Sequence, residues 1–168
     1  MAAGGDTPAK NTKTSIEPYR GVLTDYDFTD RLKRDLEAEL HNSETFRSST
    51  VSAVRQTGTD GEKAPVAESN SNSALVMDTQ YMLTADFTAV YVYCVATLLS
   101  NQSGKWTAVY RRIHSFARGV PEGEGDMEAR WTSDNGAGLR RALDANIRDL
   151  STSILKALDQ PSSITEIK

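Results

Sequence analysis

Two long runs of β-forming residues, joined by a short polar linker, occupy residues 88–116 and constrain the fold more than any other stretch. The first arm, Thr88-Ala-Val-Tyr-Val-Tyr-Cys-Val-Ala-Thr-Leu-Leu99, is the most apolar and β-branched segment of the chain. The second, Lys105-Trp-Thr-Ala-Val-Tyr-Arg-Arg-Ile-His-Ser-Phe116, mixes aromatic and β-branched residues with charge. The linker Ser100-Asn-Gln-Ser-Gly104 is polar and contains Gly, which predicts a hairpin with a bulged or four-to-five-residue loop. Side chains alternate along a strand. Val90, Val92, Cys94, Ala96 and Leu98 therefore share one face, and Tyr91, Tyr93 and Val95 the other. The first set is the better core. The second set joins Trp106, Tyr110 or Arg112, according to register, in an aromatic and arginine surface of the kind that binds proteins. The chain's own loops are the competing occupant of that surface. The candidate interaction residues are thus Tyr91, Tyr93, Trp106, Tyr110 and Arg112.

The flanking segments supply what packs on this ribbon. Pro18 to Leu23 reads as a short edge strand, because Pro and Gly interrupt it. Asp25 or Asp27 can cap the helix that follows, over about 28–41. In it Phe28, Leu32, Leu36 and Leu40 form an apolar stripe, and Asn42 can end the helix in the left-handed conformation. Phe46 to Val54 alternates as a modest strand, giving a strand, helix, strand opening. Ala74 to Leu83 is a further strand, and Thr84-Ala-Asp-Phe87 turns it into the hairpin, so three successive strands make an antiparallel meander. A loop at Arg118–Asp126 leads to a second helix over about 137–159. Ser133 or Asp134 caps it, and Leu139, Ala142, Leu143, Ile147, Leu150, Ile154, Leu155 and Leu158 stripe it. The expected class is α+β: a mixed or antiparallel sheet with both amphipathic helices on one face.

Length and composition set the limits. The 168 residues suit one domain over 16–160, between a flexible tail at 1–15 and a polar tail at 161–168. The apolar fraction, 38%, is low because of polar tracts at the amino terminus and in a mobile loop at 57–73. A net charge of −4 argues against a general nucleic-acid binder. Lys105, Arg111, Arg112 and Arg118 form a basic run, followed by the acidic run Glu122, Glu124, Asp126 and Glu128; two solvated faces explain both. No run approaches the roughly 18 apolar residues of a membrane span.

The motifs that would fix a chemistry are missing. Cys94 is the single cysteine and lies in the apolar arm, where a thiol behaves as a small hydrophobe. His114 and His41 stand apart, without the cluster a metal site needs. Asp78 and Asp86 flank one strand, but a solvent-facing position and a turn account for them. Gly119, Gly123 and Gly125 sit among carboxylates that repel phosphate, and Asn135-Gly136-Ala137-Gly138 lacks the remaining phosphate-loop residues. No nucleophile elbow is present. No catalytic residue, cofactor or metal is assigned. A curved sheet wrapped by helices is the alternative, a small-molecule binder or enzyme with a pocket lined by Tyr91, Tyr93, Tyr110 or His114.

Thr29-Asp-Arg-Leu-Lys-Arg-Asp-Leu-Glu-Ala-Glu-Leu-His-Asn-Ser-Glu-Thr-Phe46 resembles the helix, short turn, Phe, strand opening of small bacterial envelope lipoprotein domains. These include the amino-terminal domain of the Tol-system translocation protein, curli-secretion lipoproteins and penicillin-binding-protein activator lipoproteins. Asn135-Gly-Ala-Gly-Leu-Arg-Arg-Ala-Leu-Asp-Ala-Asn-Ile-Arg-Asp-Leu150 is similar to their closing helix. The resemblance implies a non-catalytic periplasmic domain, acting in envelope assembly through contacts with other envelope proteins. Such lipoproteins carry a signal peptide and a lipidated cysteine, which Met1-Ala-Ala-Gly-Gly-Asp-Thr-Pro does not show. It therefore also implies that the lipid anchor precedes Met1 and that residues 1–15 tether the domain to the outer membrane. Taken without the resemblance, the chain reads as cytoplasmic.

Overall fold

A computed structural model describes residues 16–46, 49–52 and 71–159. Strands β1 (Ser73–Leu83), β2 (Ala89–Gln102) and β3 (Lys105–Gly119) form an antiparallel sheet in the order β1-β2-β3. The hairpin is tighter than its polar linker suggested. Gln102 pairs with Lys105, so Ser103 and Gly104 alone make the turn. Both have positive φ, 54° and 84°, the signature of the type I′ turn whose twist matches that of the strands. The Gly104 N–H donates to the Asn101 side-chain oxygen at 3.0 Å. The irregularity sits instead inside the ribbon: Leu98 faces Tyr110 but Leu99 faces Ala108, leaving Val109 as the extra residue of a bulge.

Helix α1 (Phe28–Asn42) begins at Asp27, whose carboxylate accepts the Asp30 N–H at 3.0 Å. Its stripe faces inward, with Phe28, Leu32 and Leu36 buried. Asn42 remains helical. The helix closes through extended Ser43, whose N–H reaches the carbonyls of Glu39 and Leu40. Neither flanking strand is observed among the described residues. Residues 16–21 are helical, placing Tyr19 in the core stacked on Phe87 at 4.9 Å. Pro18 fits near the start of a helix, where its missing N–H costs nothing. Of the strand expected at 46–54, Phe46 lies in a turn and residues 49–52 are irregular. The rest of it, and most of the loop expected at 57–73, falls outside the described residues.

Helix α2 (Met127–Leu158) starts well before the position its apolar stripe indicates. Asp126 caps it by accepting the Ala129 N–H at 2.8 Å. One helical segment delivers Trp131 to a fully buried site, where its indole N–H donates to the Phe87 carbonyl at 2.7 Å. The helix then breaks. Ser133 is extended, and Asp134, Asn135 and Gly136 are all left-handed, with φ of 52°, 56° and 73°. Asp, Asn and Gly tolerate that conformation better than other residues. The helix resumes at Ala137 and runs to Leu158, about 33 Å at 1.5 Å per residue.

The long arm of α2 lies on the sheet. Leu139, Leu143, Leu150 and Ile154 are completely buried against Val92, Cys94 and Ala96, with Ile147 nearly so. Each such side chain contributes on the order of 2 kcal/mol by leaving water. Helix α1 packs on α2 and touches the edge of the sheet through Phe28 against Tyr81, at 4.9 Å between rings. Arg140 of α2 donates to the Val22 carbonyl at 2.5 Å and pairs with Asp25. Asp144 accepts from the Tyr26 hydroxyl at 2.7 Å and from Arg31 at 2.9 Å. Burial, then the Asp144 bond, push the Tyr26 hydroxyl pKa far above its ordinary value, so this phenol stays a donor. At the other side, Arg118 of β3 pairs with Asp149.

Three substitutions check this account. A Cβ on Gly136 would come within 2.6 Å of Val22 Cγ2 and occupy a left-handed residue. Gly136→Ala should therefore cost about 3 kcal/mol in urea unfolding, whereas Gly21→Ala, where a Cβ meets nothing within 4 Å, should be close to neutral. Ser103→Asn puts the favoured Asn-Gly pair into the type I′ turn and should raise stability by about 0.5 kcal/mol.

Candidate interaction face

Partners directly opposite in an antiparallel sheet share a face, so the register sorts every strand residue. The helix side carries Leu83–Val90–Arg118, Tyr81–Val92–Phe116, Thr79–Cys94–His114, Met77–Ala96–Arg112 and Leu75–Leu98–Tyr110. The opposite side carries Met82–Tyr91–Ala117, Gln80–Tyr93–Ser115, Asp78–Val95–Ile113 and Val76–Thr97–Arg111, then Leu99–Ala108 and Asn101–Trp106 beyond the bulge. The core includes Val90, Val92, Cys94, Ala96 and Tyr110 and gathers partly buried Leu75, Met77, Leu83, Leu98 and Phe116 around it. It takes in none of Val76, Met82, Tyr91, Tyr93, Val95 or Ile113. The even-numbered residues of β2 thus meet the helices, and the odd-numbered ones look away from them.

The five candidate residues divide accordingly. Tyr91, Tyr93 and Trp106 share the face turned away from the helices, but Tyr110 and Arg112 do not. Tyr110 is buried in the core, and Arg112 is an exposed residue on the helix side. The Val109 bulge is the cause. Without it, residues 106, 110 and 112 would all project to one side; the extra residue inverts the alternation between Ala108 and Tyr110. The same inversion divides the pocket candidates, because Tyr91 and Tyr93 lie across the sheet from Tyr110 and His114.

Residues that sequence reasoning passed over take their place. Met82 and Ile113 are 52% and 59% exposed, more than Tyr91 at 37%. Together with half-buried Tyr93 and Val95 they make a continuous apolar strip across all three strands. Among the paired positions of this face, the charges are Asp78 on one edge strand and Arg111 on the other. The alternation in β1 and the oddness of Ile113 among charged neighbours were visible, but which parity faced outward needed the register.

The titratable groups on the helix side have structural surroundings. His114 is 5% exposed, and its Nδ1 lies 3.1 Å from the Ser153 hydroxyl of α2. Burial pushes the Cys94 thiol up to about 11, which keeps it protonated and inert. Asn146, fully buried on α2, donates to the Val90 carbonyl at 3.0 Å. Asp86 accepts from the Thr88 N–H and hydroxyl in the β1–β2 turn; a bond from the Thr84 hydroxyl first, and then these two, hold its carboxyl below the usual range. Asp78 is solvent-exposed. The glycine pair at the start of the long arm of α2 serves close packing: a Cβ on Gly138 would stand 2.7 Å from the Arg130 carbonyl and 2.8 Å from Pro121. Among the described residues, no three His, Cys, Asp or Glu side chains converge on a point where a metal could bind.

Comparison with family models, curated proteins and solved structures finds no match to this chain.

The His114 environment makes a pH prediction. Desolvation first, and the nearby Arg112 charge second, hold its imidazole below the ordinary value of 6.5. The unfolded chain therefore binds the proton more readily than the folded one. Stability should be complete above pH 6.5 and decline as pH falls from there through the folded pKa. Urea midpoints at pH 7.5 and pH 5 should differ by less in His114→Gln than in the wild type.

Proposed function

We propose that this chain is a non-catalytic protein-binding domain of the bacterial cell envelope, acting through the sheet face centred on Tyr91 and Tyr93. The observation that carries the reading is the exposure of Met82, Tyr91 and Ile113 on one continuous face that contributes nothing to the core. Aromatic residues in the centre of a patch, flanked by Met and Ile, with polar groups at its rim match the composition of protein interfaces. Scattered single apolar residues would need no explanation, but a strip crossing three strands does. The envelope setting and a role in assembly rest on the resemblance of residues 29–46 and 135–150 to lipoprotein domains. No described helix is long and apolar enough to cross a membrane; the lipid anchor in this reading rests on the same resemblance.

Affinity capture from a native envelope extract tests the reading. A central interface tyrosine is worth on the order of 2 kcal/mol, roughly 30-fold in affinity. Tyr91→Ala and Tyr93→Ala should each deplete the captured partners by that scale. Their thermal midpoints should stay near wild type, because neither side chain belongs to the core. Identical partner sets from the wild type and both variants, with the chain's own untagged copy counted among the partners, would remove this face from consideration.

A further inference from the structure

Charge placement on the same face points to a specific occupant, and we propose that it is a second copy of this chain. The two copies stack face to face about a two-fold axis running along β2. This deepens the protein-binding reading and rests on it. Asp78 stands on edge strand β1, and Arg111 on the opposite edge strand, β3. Both are exposed, and neither pairs with an opposite charge among the described residues. A two-fold axis parallel to β2 lays β1 of each copy over β3 of the other. Asp78 then meets the partner's side of the face that holds Arg111, offset by one row. That row is about 7 Å, a gap an extended arginine side chain spans. By symmetry the pair forms twice, once along each edge, as an isologous interface requires.

The other two-fold arrangements are worse. An axis across the strands puts β1 over β1 and β3 over β3, so the edge that holds Asp78 meets its own copy and the edge that holds Arg111 meets its own copy. Pairing β3 edge to edge with its own copy aligns a strand holding Lys105, Arg111, Arg112 and Arg118 and no acid, and like charges opposite one another destabilise strand pairing. Of these three arrangements, the axis along β2 is the one that gives complementary charges.

The apolar content and size of the face agree with that axis. Tyr91, Tyr93 and Val95 of β2 lie on it and pack against their own symmetry mates, while Met82 and Ile113 flank them. Three strands over the 11 paired positions of β1 and β2 make a face about 14 Å wide and about 36 Å long. That is about 500 Å² in projection, and side-chain relief brings the accessible area toward the roughly 800 Å² per partner of a stable interface. The product is two sheets packed with nearly aligned strands, the ordinary geometry of a β-sandwich.

Sedimentation equilibrium on the full chain over about 1–200 μM tests the proposal, with circular dichroism confirming that each variant folds. The wild type should be a dimer, and Tyr93→Asp, at the centre of the face, a monomer. Asp78→Arg and Arg111→Asp should each weaken association at least tenfold. The double charge swap Asp78→Arg/Arg111→Asp should return the dissociation constant to within a few-fold of wild type, because both pairs are re-formed with reversed sign. A wild type that stays monomeric throughout overturns the dimer, while the capture experiment still decides whether the face binds other proteins. A dimer indifferent to Tyr93→Asp, or one that the double swap does not restore, overturns the face-to-face arrangement along β2.

Discussion

The contact on which the other features depend is the burial of one face of β2 under the long arm of α2. Val92, Cys94 and Ala96 on the strand and Leu139, Leu143, Leu150 and Ile154 on the helix have no exposed surface. The small side chains at 94 and 96 let the helix approach, and Asn146 fixes its position by bonding the Val90 carbonyl. Because side chains alternate along a strand, sealing the even-numbered residues of β2 assigns the odd-numbered ones to the other side. The apolar strip of Tyr91, Tyr93 and Val95 is a direct consequence of how the core closes.

The break at residues 133–136 lets one chain segment serve two ends of the molecule. A straight helix from Met127 could not both carry Trp131 to the β1–β2 turn and lie with its later residues along the sheet. Three successive left-handed residues redirect it. Gly136 and Gly138 allow Val22, Pro121 and the Arg130 carbonyl to come close enough to hold the bend. Around this bend the interactions are polar and directional: Arg140 to Val22 and Asp25, Asp144 to Tyr26 and Arg31. They lock the segment before α1 onto α2, where hydrophobic contact alone would leave its orientation loose.

The polar groups beneath the sheet belong to the same scheme. His114 is bonded across to Ser153, and Cys94 is protonated by burial, so both act as packing elements with modest polar ties. Of the four exposed large hydrophobic residues among those described, Tyr81 lies at the sheet edge on the helix side, and Met82, Tyr91 and Ile113 lie on the far face of the sheet. There the apolar strip is bounded by Asp78 on one edge and Arg111 on the other. A surface with attractive apolar content and two opposite charges discriminates among partners by how it places that pair.

Local chemistry in the sequence was enough to determine the α+β class, the meander, the two apolar helix stripes and the core face of β2. Each of these is written in periodicity: alternation in residues 90–98, and spacings of three and four in 28–40 and 139–158. Cys94 as a core residue and a cap at Asp25 or Asp27 follow from similarly short-range rules, and the structure chooses Asp27. What periodicity could not supply was anything dependent on the count of residues between distant partners. The two-residue turn at Ser103–Gly104 and the extra residue Val109 together decide that Trp106 joins Tyr91 and Tyr93 while Tyr110 and Arg112 turn toward the helices. Residues 16–21 became helical rather than extended because Tyr19 finds its place against Phe87, a contact 68 positions away in the chain. The early start of α2 was hidden for the same reason, since Trp131 is justified only by the Phe87 carbonyl it reaches. The sequence by itself determined which surfaces had to be buried. Tertiary structure decided which residues stand together on the surface left over, because register and bends are set by contacts between segments far apart in the chain.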